Sequence, residues 1–315
     1  MKSVYLSLKN FLKADFDLKS YTWLAFFLTT SIIFNYQVNF EDDIIDANFR
    51  NDWFYSLIYW CFYSFAFYGV VVPILLLRRE TEILKSSKFW LTTSLTILIC
   101  SFLVAEDIPY EYFISEKWSE HELYFFKKSL TTGSTFLMSV FLIPILIKIN
   151  GFKEKFYYGI SFKNAKLLPY FTMLLIMLIP LVWASYQNEF QQYYPTLKFW
   201  RLQHPFGLNN TKLGITWEVI YAFSFIGTEI LFRGAMVIGI SKILGNNVIL
   251  PAVAVYAFLH FGKPMPETIG SIFGGFILGV IALDKKNLLG GIMIHMGVAI
   301  GMDLLSLAQR YHWTP

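Results

Sequence analysis

Apolar residues run through the chain in nine stretches, about 21–38, 53–77, 89–105, 130–149, 167–185, 214–240, 247–262, 268–283 and 288–307. A helix that crosses the hydrocarbon core needs roughly 20 mostly apolar residues. The first and seventh stretches are short, so the pattern predicts eight or nine transmembrane helices in an all-α polytopic membrane bundle. Four regions follow: an amphipathic N-terminal segment 1–20, a five-helix membrane region 21–185, an extended polar loop 186–213, and a C-terminal membrane core 214–307.

The polar segments between the runs alternate in charge. Lys2, Lys9, Lys13 and Lys19 precede the first run, Arg78, Arg79, Lys85 and Lys88 follow the second, and Lys153, Lys155, Lys163 and Lys166 follow the fourth. The loops FEDDIIDANFRND and EDIPYEYFISEKWSEHELYFF are acid-rich. By the positive-inside rule the N-terminus lies in the cytoplasm, and the short loop Asp284, Lys285, Lys286 falls on the same side. Trp23, Trp53, Trp90 and Trp183 sit at run ends, where interfacial anchors are expected.

Composition agrees with this reading. Of 315 residues, 56% are hydrophobic and 15% charged, and the mean hydropathy is +0.49, too apolar for an ordinary soluble domain. A net charge of +4 spread over several loops describes topology, and no nucleic-acid partner is expected. Membrane lipids are the expected surroundings. Cys61 and Cys100 lie inside apolar runs without metal-ligand spacing and read as packing residues. Gly270, Ser271, Gly274, Gly275 and Gly279 in SIFGGFILG read as a close helix-packing surface.

Ionisable residues inside membrane runs cost on the order of 2.5–3.5 kcal/mol each and mark functional candidates. They concentrate in the C-terminal core: Glu218, Glu229, Arg233, His260, His295 and Asp303. Glu218, Glu229 and Arg233 fall on one helical face, and Glu229 with Arg233 at i, i+4 can form a buried ion pair. Tyr256 precedes His260 by one turn, and Asp303 follows His295 by two. A carboxylate and a neutral imidazole can hold water and take its proton, while a second imidazole stabilises an oxyanion. Glu229, His260 and His295 would also suit zinc, although no H-E-x-x-H signature is present. Ser224 and Ser271 lie outside any G-x-S-x-G elbow. Glu267 reads as a carboxylate at the N-terminus of the helix that follows.

Three segments, TEILFR at 228–233, YAFLH at 256–260 and HMGVA at 295–299, resemble in order and spacing the motifs EExxxR, FxxxH and HxxxN of the CPBP family. These are the CAAX proteases and bacteriocin-processing enzymes, also called the Abi family of intramembrane endopeptidases. The resemblance covers about residues 214–307 and implies a multi-pass protein of the bacterial inner membrane that cleaves a peptide or membrane-protein substrate. It implies that a first-motif glutamate and His260 activate water, while His295 and a third-motif asparagine stabilise the oxyanion. Two positions depart from the pattern, because Thr228 stands at the first glutamate and Ala299 at the asparagine.

Two readings follow from the departures. In one, Glu229 or Glu218 takes over as base beside His260, and Asp303 or another donor assists His295. In the other, the chain is an inactive relative acting as a membrane scaffold or immunity-type factor. A transporter or proton relay is a third class, for which no inverted repeat between the two halves is visible.

Overall fold

The computed structural model describes residues 2–50, 52, 54–105, 110–151, 159–161 and 166–312. The expected anchor Trp53, the loop acids Glu106 and Asp107, and the loop lysines Lys153, Lys155 and Lys163 lie outside the described residues. Among the described residues the structure is helical throughout, without strands. Ten helices organise it: α1 Lys2–Asp15, α2 Leu18–Val38, α3 Tyr55–Leu77, α4 Ser87–Ala105, α5 Glu120–Ile149, α6 Leu168–Ala184, α7 Asn210–Glu229, α8 Ile249–Phe258, α9 Met265–Lys285 and α10 Leu289–His312.

Local chemistry sets several of these boundaries. Asp17 caps α2 by accepting from Ser20 N at 3.0 Å, and Asn209 caps α7 by accepting from Lys212 N at 3.0 Å. Ser119 and Glu122 form a reciprocal capping box at the start of α5, which satisfies two otherwise orphaned backbone donors. That box explains why α5 begins ten residues before the apolar run that predicts it.

Five segments are long and apolar enough to cross a membrane, Tyr55–Leu77, Glu120–Ile149, Asn210–Phe258, Met265–Lys285 and Leu289–Tyr311, and Ser87–Leu103 and Leu168–Ala184 are shorter apolar helices. The chain is a multi-pass membrane protein. The run at 247–262 departs from expectation. Only Ile249–Phe258 is α-helical there, and all ten of its residues are buried. At 1.5 Å per residue it extends about 15 Å, so it is a core helix shielded from lipid by its neighbours.

The predicted span 214–240 is likewise not one regular helix. From Ile230 to Gly239 it continues α7 as a π-helix in which every residue is buried. Wider winding of this kind is rare and concentrates at functional sites. It begins immediately after Glu229 and contains Arg233.

Hydrogen bonds gather alternate chain reversals at two ends of the bundle. At one end Arg78 donates to Asp15 and Asn247, each at 2.7 Å, Ser7 donates to Asp284 at 2.6 Å, and Leu288 N donates to Gly159 O at 3.0 Å. At the other end Tyr36 reaches Lys263 O at 2.6 Å, Tyr194 reaches Glu267 at 2.7 Å and Thr196 reaches Asp303 at 2.8 Å. The amphipathic α1 buries Val4, Ser7, Phe11 and Asp15, with Phe11 edge-on to Phe276 of α9.

Trp90 and Trp183 are exposed, as anchors should be. Trp23 instead turns inward and donates to Gly69 O at 2.9 Å. The small-residue stripe divides by face: Gly275 and Gly279 meet Tyr256 and Ile249 of α8, while nothing lies near Gly270 or Gly274.

One close helix approach bears on the site. A Cβ at Gly227 would collide with the Thr135 carbonyl oxygen and come within 2.7 Å of Phe136 Cα on α5. Both neighbours are backbone and cannot turn aside. Gly227→Ala is therefore expected to cost about 3 kcal/mol or more, at the upper end of overpacking effects, read as a lower thermal midpoint in detergent. A midpoint unchanged from the parent protein would rule out this contact.

Candidate functional site

Glu229 is fully buried at the junction of α7 and the π-helix. Its Oε1 lies 2.9 Å from Arg233 Nη1 and 3.1 Å from His295 Nδ1. The carboxylate can only accept, so the neutral imidazole of His295 carries its proton on Nδ1 and exposes a lone pair at Nε2. Tyr256 Oη lies 3.2 Å from that Nε2 and completes a carboxylate, imidazole and phenol sequence across three helices. Phe225 packs on the His295 ring, with centroids 4.5 Å apart.

Two features let this cluster close. A Cβ at Gly291 on α10 would overlap Glu229 Oε2, so glycine there admits the carboxylate. The Arg233 guanidinium lies 4.3 Å from the centre of the Tyr256 ring, an arrangement in which the ring face attracts the cation. None of its nitrogens has an aligned hydrogen-bond acceptor, and its charge is balanced by proximity to Glu229 and by the ring. A cavity of about 10 Å³, lined by Arg233, Tyr256, Gly275 and Gly279 among others, adjoins it; that is about the size of one water molecule.

His260 occupies the turn after α8 and is buried. Its Nδ1 lies 2.8 Å from the Tyr256 carbonyl oxygen. A carbonyl only accepts, so Nδ1 bears the proton and Nε2 is the basic nitrogen. The Tyr256 and His260 rings are 4.7 Å apart, and those of Tyr256 and His295 6.1 Å. Tyr256 thus stands between the two imidazoles.

Glu229 and His260 are held by different partners. Glu229 is engaged by Arg233 and His295, whereas His260 is oriented by backbone. Nor does Glu218 join them. Eleven residues place it on the same helical face as Glu229 but about 16 Å away along the axis. Its carboxyl neighbour is instead Asp303. Asp303 in turn accepts from Thr196 N at 3.0 Å and Thr196 Oγ1 at 2.8 Å, and eight residues along α10 place it about 12 Å from His295 along the axis.

The zinc alternative also meets a geometric obstacle. Both nitrogens of His295 have partners, and among the described residues no three His, Cys, Asp or Glu side chains form a metal-ligand group. Thr228 Oγ1 donates back to Ser224 O at 3.2 Å, and Ala299 is buried.

Glu267 lies in the first turn of α9, as expected of a carboxylate at a helix N-terminus. It accepts from Lys263 Nζ and from Tyr194 Oη, each at 2.7 Å. Although burial opposes it, Glu267 holds the Lys263 ammonium well above its ordinary range. This pair lies within electrostatic range of His260. Lys263 and Tyr194 stand in polar loops rather than in apolar runs, so the sequence does not single them out.

Beyond the turn, Glu41 is buried in the π-helical segment Phe40–Asp46 that follows α2. Burial pushes its carboxyl up to about 8, against a hydrogen bond from Tyr59 and reinforced by Asp46 and Asp42. A larger cavity of about 420 Å³ sits at the other end of the bundle, bordered by Ser7, Phe11, Ser241 and Asp284, and contains none of the motif residues.

Residues 210–300 match the family model described as type II CAAX prenyl endopeptidase Rce1-like. That interval contains Glu229, Arg233, Tyr256, His260 and His295 and both departures, Thr228 and Ala299. Comparison with curated proteins and with solved structures returned no match.

Proposed function

We propose, from the Rce1-like region at residues 210–300, that this membrane protein is an endopeptidase cleaving a peptide or membrane-protein segment within or beside the bilayer. The observation that carries the reading is the orientation of His260. Its Nδ1 is tied to a backbone carbonyl, leaving Nε2 as a base in a buried site. In this reading His260 Nε2 takes a proton from water as the oxygen attacks the scissile carbonyl, and returns it to the leaving amine.

The Tyr256 hydroxyl, which at rest donates to His295 Nε2, turns its proton to the developing oxyanion where Ala299 offers no donor. Glu229 acts at one remove: it fixes the His295 tautomer and balances Arg233. The bacterial inner membrane, implied by the family resemblance, and a cytoplasmic N-terminus, drawn from the basic loops, belong to the same proposal.

A second reading, an inactive relative that binds a partner, is favoured by Thr228 and Ala299. One experiment separates them. Full-length protein in detergent is incubated with a library of apolar peptides, and new termini are identified by mass spectrometry. Cleavage by the parent protein, reduced about 10²- to 10⁴-fold in His260→Ala, supports the peptidase. Absence of products, or equal cleavage by the variant, rejects it.

A further inference from the structure

The turn that carries His260 is held from outside the Rce1-like region. Tyr36, near the end of α2, reaches the Lys263 carbonyl at 2.6 Å and Thr268 Oγ1 at 2.7 Å. Thr268 Oγ1 in turn makes a short hydrogen bond to the His260 carbonyl. Asn35, also on α2 and buried, donates from Nδ2 to Phe261 O at 3.2 Å, while its Oδ1 accepts from Glu41 N at 3.1 Å. A side chain at Gly262 would lie 3.2 Å from Asp42 Oδ1 and 3.5 Å from Glu41 Oε2. Residues more than 220 positions away in sequence thus grip the carbonyls of His260, Phe261 and Lys263.

We propose that Asn35 and Tyr36 are positioning residues for His260, so that the N-terminal region completes the site rather than merely accompanying it. The physical reason is the placement of the turn. The His260 ring is fixed at Nδ1 by α8, but its backbone leaves the helix there, with Leu259 as the last residue to bond back into α8 at i−4. The carbonyls of Phe261 and Lys263 then take side-chain donors, and that of His260 takes Thr268 Oγ1 beside the Lys263 N–H. Losing such donors shifts the base, and a displacement of about 1 Å from productive geometry can cost 10²-fold in rate.

The inference rests on the peptidase reading for its kinetic part only, so the test has two arms. In the first, the rate of His260 acylation by diethylpyrocarbonate is followed by mass spectrometry in full-length protein, with His295 as an internal reference. Tyr36→Phe and Thr268→Val are expected to raise the His260 rate at least fivefold relative to His295 while the thermal midpoint stays close to the parent value. Thr268→Ser, which keeps the hydroxyl, restores the parent rate. Tyr68→Phe, which loses a comparable hydrogen bond to Thr93 elsewhere in the N-terminal region, leaves it unchanged.

In the second arm, Tyr36→Phe lowers peptide turnover at least tenfold with KM within twofold. An unchanged His260 rate in both Tyr36→Phe and Thr268→Val overturns the proposal. If the parent protein cleaves no peptide, the peptidase reading fails and the acylation arm alone decides the role of Tyr36.

Discussion

Glu229→Gln is expected to destabilise the folded protein by about 3–5 kcal/mol, the usual consequence of removing one partner of a buried ion pair. Arg233 is fully buried and its nitrogens lack aligned acceptors, so the Glu229 carboxylate is its principal charge compensation, with the Tyr256 ring contributing less. Glutamine keeps the shape but removes the charge. It can also present an amide nitrogen to His295 Nδ1, which inverts the preferred tautomer of that ring.

The measurement is the thermal midpoint in detergent, compared with Glu229→Gln/Arg233→Met. The double variant removes both charges and is expected to recover most of the loss, because a buried pair can be replaced by apolar groups at little cost. It does not recover the tautomer of His295, which nitrogen-15 shifts of the labelled imidazole would report. If Glu229→Gln melts with the parent protein, the carboxylate is not the structural counter-charge, and its assignment as water-activating base regains ground.

The apolar pattern made the bundle legible, and it did so because burial in lipid and burial in protein select the same residues. That equivalence also explains its errors. Ile249–Phe258 and Ile230–Gly239 are apolar all round because other helices enclose them, and sequence cannot distinguish that from a lipid-exposed span. Within the site, His260, His295, Glu229 and Arg233 stood out as ionisable residues in apolar runs. What the sequence could not supply was partnership.

Spacing favoured Glu218 with Glu229, yet the axial rise separates them, and Asp303 claims Glu218 from another helix. Tyr256 was visible one turn before His260, but its contact with His295 depends on how α8 meets α10. Asn35 and Tyr36 gave only the weak signal of two polar residues at the end of an apolar run. Their importance arises from a fold that brings α2 onto a turn more than 220 residues later.

The same separation between holding and reacting groups leads to Thr228→Glu, for which turnover is expected to rise about 10²- to 10⁴-fold, the range contributed by a positioned general base. Glu229 is committed to Arg233 and His295, so on the proposed reading the parent site relies on His260 alone. Position 228 is where the CPBP resemblance places a carboxylate, and Thr228 occupies it with a hydroxyl turned back to Ser224 O. The residue is only half-buried, leaving a longer side chain a route away from the backbone.

The added charge has a cost of about 2.5–3.5 kcal/mol on the scale for an unpaired carboxylate in a membrane helix. Arg233 is already balanced and cannot offset it. Higher turnover with a lower thermal midpoint is therefore the expected signature, opposite to that of a substitution that improves packing. Thr228→Gln separates charge from size, since it has nearly the same shape but cannot accept a proton at neutral pH. If both variants turn over peptide at the parent rate, position 228 is not the missing base, and hydrolysis in this protein must begin from His260 in a geometry that needs no carboxylate beside it.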